Sequence, residues 1–309
     1  NKVSFAISTA KTTKNYSFSF FNPYHNLDNV SRGFGFSFRT QDTTNTDTET
    51  TFKSDSKSLS FNYGIPMTED NRINFDMKAY SYNVDSDEDS AQEVLDFITK
   101  NGDTYTNAEL SAAYTIDTRN RSSFTTSGFK TTLKGTGLIP GSDIEYFKLS
   151  FGTSGFFEID DDLILKLSSK IAGGSGYGQQ SKLPFFDKYK TGGPKSVRGY
   201  EKNSLSPKDS RNQPLGGDFM FNASAELRFP TPLLSEIEEL KNLQSAFFVD
   251  FGKAYKDFED FDIDEIRGSL GYSLSFISPL GGITINFSVP FNDDETDKTE
   301  GFQFRLGSM

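Results

Sequence analysis

The chain has 309 residues, no cysteine, one histidine and a formal net charge of −11, and only 34% of its residues are hydrophobic. That balance excludes disulfide staples, thiolate metal sites and thiol nucleophiles, and it argues against nucleic acid as a partner, because phosphates need a basic face. Mean hydropathy is −0.53, and no stretch approaches the roughly 18 consecutive apolar residues that a spanning helix needs.

Low hydrophobicity would ordinarily suggest disorder, but 32 Phe and 13 Tyr recur in steps of two. The alternation is plainest in Phe219, Phe221, Ala223, Ala225, Leu227 and Phe229 against Met220, Asn222, Ser224, Glu226 and Arg228. One face suits hydrocarbon and the other suits water. This period predicts an all-β fold, a transmembrane antiparallel β-barrel, in which closure satisfies every backbone group while half of each strand faces lipid.

In chain order, Asn1 opens directly in a strand-like run with no signal peptide, so the sequence reads as a mature piece or a fragment. Period-two runs predict about fourteen strands, an even number of the kind bacterial barrels use, at 2–10, 15–22, 31–40, 56–65, 71–82, 104–116, 124–135, 143–157, 162–173, 217–229, 243–252, 266–277, 282–291 and 301–309. Compact connections are built on Asn22-Pro23-Tyr24, Gly64-Ile65-Pro66, Glu158 to Asp162 and Ser278-Pro279-Leu280-Gly281-Gly282. Longer ones fall at 41–55, 83–103, 174–216, 253–265 and 292–300. Short turns belong to the periplasmic rim and long loops to the outside, with 230–242 the one long connection on the short-turn side.

His25 lies in the first compact turn, with no nucleophile motif to serve, and reads as a solvated turn residue. The 83–103 loop carries Asp85, Asp87, Glu88, Asp89, Glu93, Asp96 and Asp103, and the 253–265 loop carries Asp257, Glu259, Asp260, Asp262, Asp264 and Glu265. A solvated acidic rim is the plain reading; divalent-cation bridging to anionic lipid is the sharper one, without the ligand spacing of an EF-hand. Between these acids, Ser90 to Ile98 predicts a short helix across the barrel's top, with Val94, Leu95 and Ile98 on one face. Asp160-Asp161-Asp162 reads as a polar turn. Gly173-Gly174-Ser175-Gly176-Tyr177-Gly178 fits neither a phosphate loop nor a nucleophile elbow, and predicts a strand exit where backbones approach closely. No catalytic residue, metal site or cofactor is expected, and enzyme chemistry lacks both a base and a nucleophile.

The 174–216 loop contains Gly192-Gly193-Pro194-Lys195-Ser196-Val197-Arg198-Gly199-Tyr200. A loop of ~40 residues is unusual unless it is functional or anchored. If it folds into the lumen, Arg198 needs a carboxylate, because an unpaired guanidinium in a confined interior is costly. Parity on the 243–252 strand sends Phe247, Val249 and Phe251 to lipid and Phe248 and Asp250 inward, and Glu226 is inward on the preceding strand. A charge swap of Arg198→Asp with Asp250→Arg is then expected to restore part of what either change loses.

At these residues the chain resembles the BamA family of outer membrane protein assembly factors, within the bacterial surface antigen superfamily. Val197-Arg198-Gly199-Tyr200 matches the family's Val-Arg-Gly-Phe/Tyr loop motif, and Phe248-Val249-Asp250-Phe251-Gly252 matches the Phe/Trp-x-Asp-x-Gly strand motif that receives the loop arginine. Agreement extends to Asn22-Pro23-Tyr24, Ile139 to Asp143 with Glu145-Tyr146, Ile159 to Asp162, Ser278 to Gly281, and the closing Phe302-Gln303-Phe304-Arg305-Leu306-Gly307. The resemblance implies a barrel of about sixteen strands, of which this chain would lack the first two along with upstream POTRA domains. It also implies a few terminal residues beyond Met309, where the family usually closes on an aromatic.

The function so implied is assembly and insertion of β-barrel proteins into the bacterial outer membrane by strand pairing at a weak seam. The terminal strand would form one side of that seam, with Phe302, Phe304 and Leu306 to lipid and Gln303, Arg305 and Gly307 inward. Implied partners are nascent outer-membrane barrel proteins, accessory lipoproteins of the assembly complex, periplasmic chaperones, and outer-membrane lipid with lipopolysaccharide. The loop motif alone is shared with polypeptide exporters of the superfamily, of the two-partner secretion or translocation-assembly type, and these remain the alternative. A passive porin fits less well, because the long loop would obstruct its constriction.

Overall fold

In the computed structural model every residue is described except 45, 88–89, 123, 232–242, 279–280 and 308–309. The chain folds as β1 (Lys2–Thr9), β2 (Thr13–Asn22), β3 (Ser31–Asp42), β4 (Lys53–Pro66), β5 (Asn71–Asp85), α1 (Gln92–Asn101), β6 (Thr104–Asp117), β7 (Gly128–Leu138), β8 (Tyr146–Asp160), β9 (Leu163–Gly176), β10 (Phe219–Pro230), β11 (Leu243–Tyr255), β12 (Arg267–Ser278), β13 (Gly281–Phe291) and β14 (Phe302–Gly307). The strands form one 14-stranded sheet in strict chain order, each antiparallel to its neighbours. β1 and β14 are the two ends of that sheet. Among the described residues no helix is long and apolar enough to cross a membrane.

Period two determines the two faces. Phe34, Phe36, Phe61, Phe75, Leu149 and Phe247 stand exposed on the outer wall, while Ser54, Ser111, Ser273 and Asn286 are buried on the inner one. This inverts a water-soluble sandwich, as lipid-facing strands require. Outer-wall rings also meet across strands, Tyr16 with Phe38 at 6.4 Å and Phe287 with Phe302 at 5.3 Å, and such cross-strand pairs help hold register.

Two strands begin three or more residues later than their alternation suggests. β7 starts at Gly128 rather than 124 because Phe124 takes φ 50° and Gly128 φ 94°. Asn120 ties the intervening turn together through hydrogen bonds with Thr126 and Ser127. β8 starts at Tyr146 rather than 143. Asp143 there accepts the Thr106 N–H at 2.6 Å, and Asn107 accepts the Ile144 N–H at 3.1 Å, so side chains engage those backbone groups. Other strands run longer than expected at the long-loop end: β4 starts at Lys53, β5 continues to Asp85 and β11 to Tyr255. The ladder persists there beyond the apolar alternation. β8 likewise runs through Glu158 to Asp160, leaving Asp161 and Asp162 as the turn. Glu88, Asp89, the 279–280 turn centre, most of the 230–242 connection and the end of the 301–309 strand lie outside the described residues.

Inside the long-loop end of the sheet lies an apolar cluster of Phe52, Tyr105, Ile144, Tyr146, Leu183 and Phe185. The helix α1 contributes Val94, Phe97 and Ile98; Phe97, not Leu95, shares the packed face. Phe185 meets Phe52 and Phe97 edge-on at 5.1 and 5.5 Å. Offset and edge-to-face rings of this kind add packing energy beyond area alone.

Candidate functional site: the lumenal arginine cluster

The segment between β9 and β10 is the longest connection, and its local geometry is fixed by glycine. Gly192 and Gly193 take φ of 104° and 97°, a region that L side chains rarely adopt. The tip Gly193-Pro194-Lys195-Ser196 then closes through Ser196 N–H to Gly193 O at 3.1 Å and Gly193 N–H to Val197 O at 3.0 Å. Behind the tip, Val197 and Tyr200 are fully buried and pack with Leu205. The segment is tied to the wall by Tyr189 pairing with Gly217 and by Lys188 contacting Asp218. Burial pushes the Asp218 carboxyl above its ordinary value despite Lys188. Desolvation also opposes the Glu49 charge, yet Lys190 and Lys202 hold that carboxyl below the usual range. Gly174 lies under the same segment, where an added Cβ would sit 2.9 Å from Leu183.

Arg198 emerges from this scaffold between three strands. Its Nε donates to Asp250 Oδ2 and its Nη2 to Asp250 Oδ1, both at 2.6 Å, and its own backbone N–H reaches Oδ2 at 3.0 Å. Nη1 donates to Ser273 Oγ at 3.1 Å and Nη2 to Ser224 Oγ at 3.2 Å. Glu226 Oε1 lies 3.2 Å away, and Glu226 is shared with Arg228 at 2.7 Å and Lys166 at 3.4 Å. The guanidinium also stacks over the Phe248 ring, 3.5 Å from its centroid. Asp250 is fully buried. A bidentate, charge-assisted and desolvated pair is among the strongest polar contacts a protein makes.

Small residues make the room. At Gly252 a Cβ would sit 2.9 Å from Val197 Cγ2, and at Gly271 one would sit 2.6 Å from Phe248 Cζ. Gly199 has φ 88°, and a Cβ there would meet Ser288 Cβ at 3.2 Å.

The cluster reaches β14 through Gln303, which is 2% exposed. Its Oε1 accepts the Gly199 N–H at 3.2 Å and its Nε2 donates to Tyr200 O at 2.7 Å. Glu300 N–H donates to Gly199 O at 2.8 Å, and Tyr200 bridges to Thr299. The Tyr200 hydroxyl donates to Gly268 O at 3.0 Å. On β14 itself, Phe302, Phe304 and Leu306 are exposed on the outer face, and Gly307 pairs with Gly282.

The structure thus brings Val197, Arg198, Gly199, Tyr200, Glu226, Phe248, Asp250 and Gly252 into one site, and it adds Gln303, Gly271, Ser224 and Ser273. Parity alone had turned Gln303 inward. That it reads the loop's main chain was hidden, because the partners are 103 and 104 residues apart. His25 stays apart, exposed in the β2–β3 turn, where its backbone N–H donates to Val30 O at 2.7 Å. Asp160 to Asp162 stay apart too, at the last residue of β8 and in the turn that follows it.

The Omp85 superfamily domain matches residues 1–309. The chain belongs to the Omp85 superfamily. Among its relatives, the outer membrane protein assembly factor BamA of Neisseria meningitidis serogroup B is 28% identical over 338 aligned residues, covering 97% of this chain and 42% of that protein. A SAM50-like protein of Schizosaccharomyces pombe is 27% identical over 215 residues, covering 64% of the chain and 43% of that protein. This Omp85 domain therefore spans about 42% of the length of the BamA it matches. In fold it is similar to crystalline BamA from Haemophilus ducreyi lacking POTRA domains 1–3, with a TM-score of 0.89 at 23% identity over 98% of this chain and 63% of that one. CdiB from Acinetobacter baumannii gives 0.55 at 14% identity, over 95% and 50%. The Omp85 chain is an outer-membrane β-barrel that crosses with strands.

Proposed function

We propose that this barrel assembles and inserts other β-barrel proteins into the outer membrane by lending a strand edge at its seam. The observation that carries the reading is similarity to a named assembly factor along 97% of the chain. The arginine cluster and β14 give it a physical form. An incoming strand carries N–H and C=O groups that cost several kcal/mol each when unpaired in hydrocarbon, and strand addition supplies temporary partners. No covalent step is required. In this reading β14 is the strand that lends the edge; among the described residues it pairs with β13 from Gly282–Gly307 to Phe287–Phe302.

In this reading Arg198 and Asp250 lock the loop to the wall, and Gln303 carries that order to the seam strand. Nascent outer-membrane barrels are the substrates. Accessory lipoproteins, periplasmic chaperones and outer-membrane lipid with lipopolysaccharide are the partners. An exporter's conduit would carry the same loop motif, so the loop does not separate the two readings; similarity to an assembly factor over 97% of the chain favours assembly. The test is reconstitution of the full-length coding product in liposomes with a denatured outer-membrane barrel added. Faster folding of that barrel, lost on Arg198→Ala, supports insertion; no acceleration together with peptide flux overturns it in favour of a conduit.

A further inference from the structure

A cavity of about 360 Å³ lies below the loop tip, between Lys195 and the β6–β7 turn at Arg119. Seven of its lining residues are lysine or arginine and one, Glu226, is a carboxylate. That is the reverse of the chain as a whole, at −11. Neutralisation within the wall is incomplete. Asp250 answers Arg198, Asp117 answers Arg119, and Glu226 is divided among Arg198, Arg228 and Lys166. Lys170 and Lys195 are exposed to the lumen and form no ion pair among the described residues. Asn286, 1% exposed, lies in the same wall with its Nδ2 lacking any acceptor; its Oδ1 is taken by Ser273. A buried donor left without a partner is uncommon and calls for one.

We propose that this cavity is a binding site for a small phosphate-type polyanion. The wall offers donors, namely ammonium, guanidinium, hydroxyl and amide groups, and its one carboxylate is already shared by three cations. A neutral peptide would leave the excess cationic charge of the wall unanswered, whereas a pyrophosphate brings negative charge and only acceptor oxygens. Cationic groups in a low-dielectric recess focus their field on such a ligand. The same chemistry could arrive as a soluble phosphate compound or as a diphosphate lipid headgroup. This site is independent of the insertion reading above.

The experiment is calorimetric titration of inorganic pyrophosphate into the detergent-solubilised full chain, at fixed ionic strength. Saturable one-to-one binding is expected, weakened about tenfold or more in the double variant Lys170→Gln, Lys195→Gln and unchanged in Lys57→Gln on the outer wall. Unchanged affinity in the lumenal variant overturns the site, as does the absence of saturable binding or equal displacement by chloride. Circular dichroism checks that each variant keeps its sheet. Repeating the titration in nanodiscs with a diphosphate lipid separates the sources: competition assigns the headgroup, and its absence assigns the soluble ligand.

Discussion

Arg198 and Asp250 face each other through two 2.6 Å hydrogen bonds, and the same carboxylate also receives the arginine's own backbone N–H. The carboxylate therefore recognises both the side chain and the local fold of the loop. Removing either partner leaves an uncompensated charge in the wall, so Arg198→Ala and Asp250→Ala are each expected to destabilise by roughly 3–5 kcal/mol. Heat-dependent unfolding of the purified barrel measures this. Two full-sized losses that add in the double variant would disprove direct pairing.

The charge swap is expected to fail, contrary to what spacing alone suggests. An arginine at 250 would offer no acceptor to the residue-198 backbone N–H or to the Ser224 hydroxyl, which donates to Asp250 Oδ1 at 2.6 Å. Arg198→Asp with Asp250→Arg should thus be no more stable than the worse single variant in the same unfolding assay.

Gln303→Ala would strip partners from the Gly199 N–H and the Tyr200 carbonyl, at about 1–3 kcal/mol for a buried group left unpaired. Its effect should localise. Hydrogen exchange is expected to quicken in β14 and around Gly199, while β3 to β6 stay protected; uniform quickening would count against a specific brace between loop and seam strand.

Gly271→Val should damage the site without touching a charge. The added carbon would press on Phe248, the ring under Arg198, and overpacking of this kind typically costs about 1–3 kcal/mol. Gly137, with nothing within 4 Å of an added Cβ, provides the comparison: Gly137→Ala should leave the unfolding temperature nearly unchanged.

Asp218 gives a pH signature. Burial raises its carboxyl pKa in the folded protein above the ordinary aspartate value of 3.8, so the fold binds that proton more tightly than the unfolded chain does. Stability from this group is therefore greatest at acid pH and falls as pH rises from about 4 through the folded value. The wild type should show that slope in unfolding temperature and Asp218→Asn should lack it; parallel profiles would refute the assignment.

Much of this was legible in the residues. Alternation of Phe and Tyr with Ser, Asn and Gly fixed the strands, their number and the wall each side chain faces, because a pleated strand turns successive side chains to opposite sides. Parity likewise turned Asp250, Phe248, Glu226 and Gln303 inward. Boundaries were less legible wherever side chains replace the ladder as backbone partners, as Asn120 and Asp143 do before β7 and β8. Helix α1 was visible, but not that Phe97 would meet Phe185 from a loop 88 positions on.

The sequence by itself determined a lipid-facing sheet and marked one loop arginine as needing a carboxylate, since both follow from local period and the energetics of a buried charge. Only the tertiary structure decided which groups meet it. The choice of Asp250 over Glu226 as the bidentate partner, the clearance for Phe248 beneath Gly271 and the grip of Gln303 on Gly199 all depend on cross-strand register and the loop's path. Those contacts join residues tens to a hundred positions apart, and nothing in the spacing along the chain specifies them.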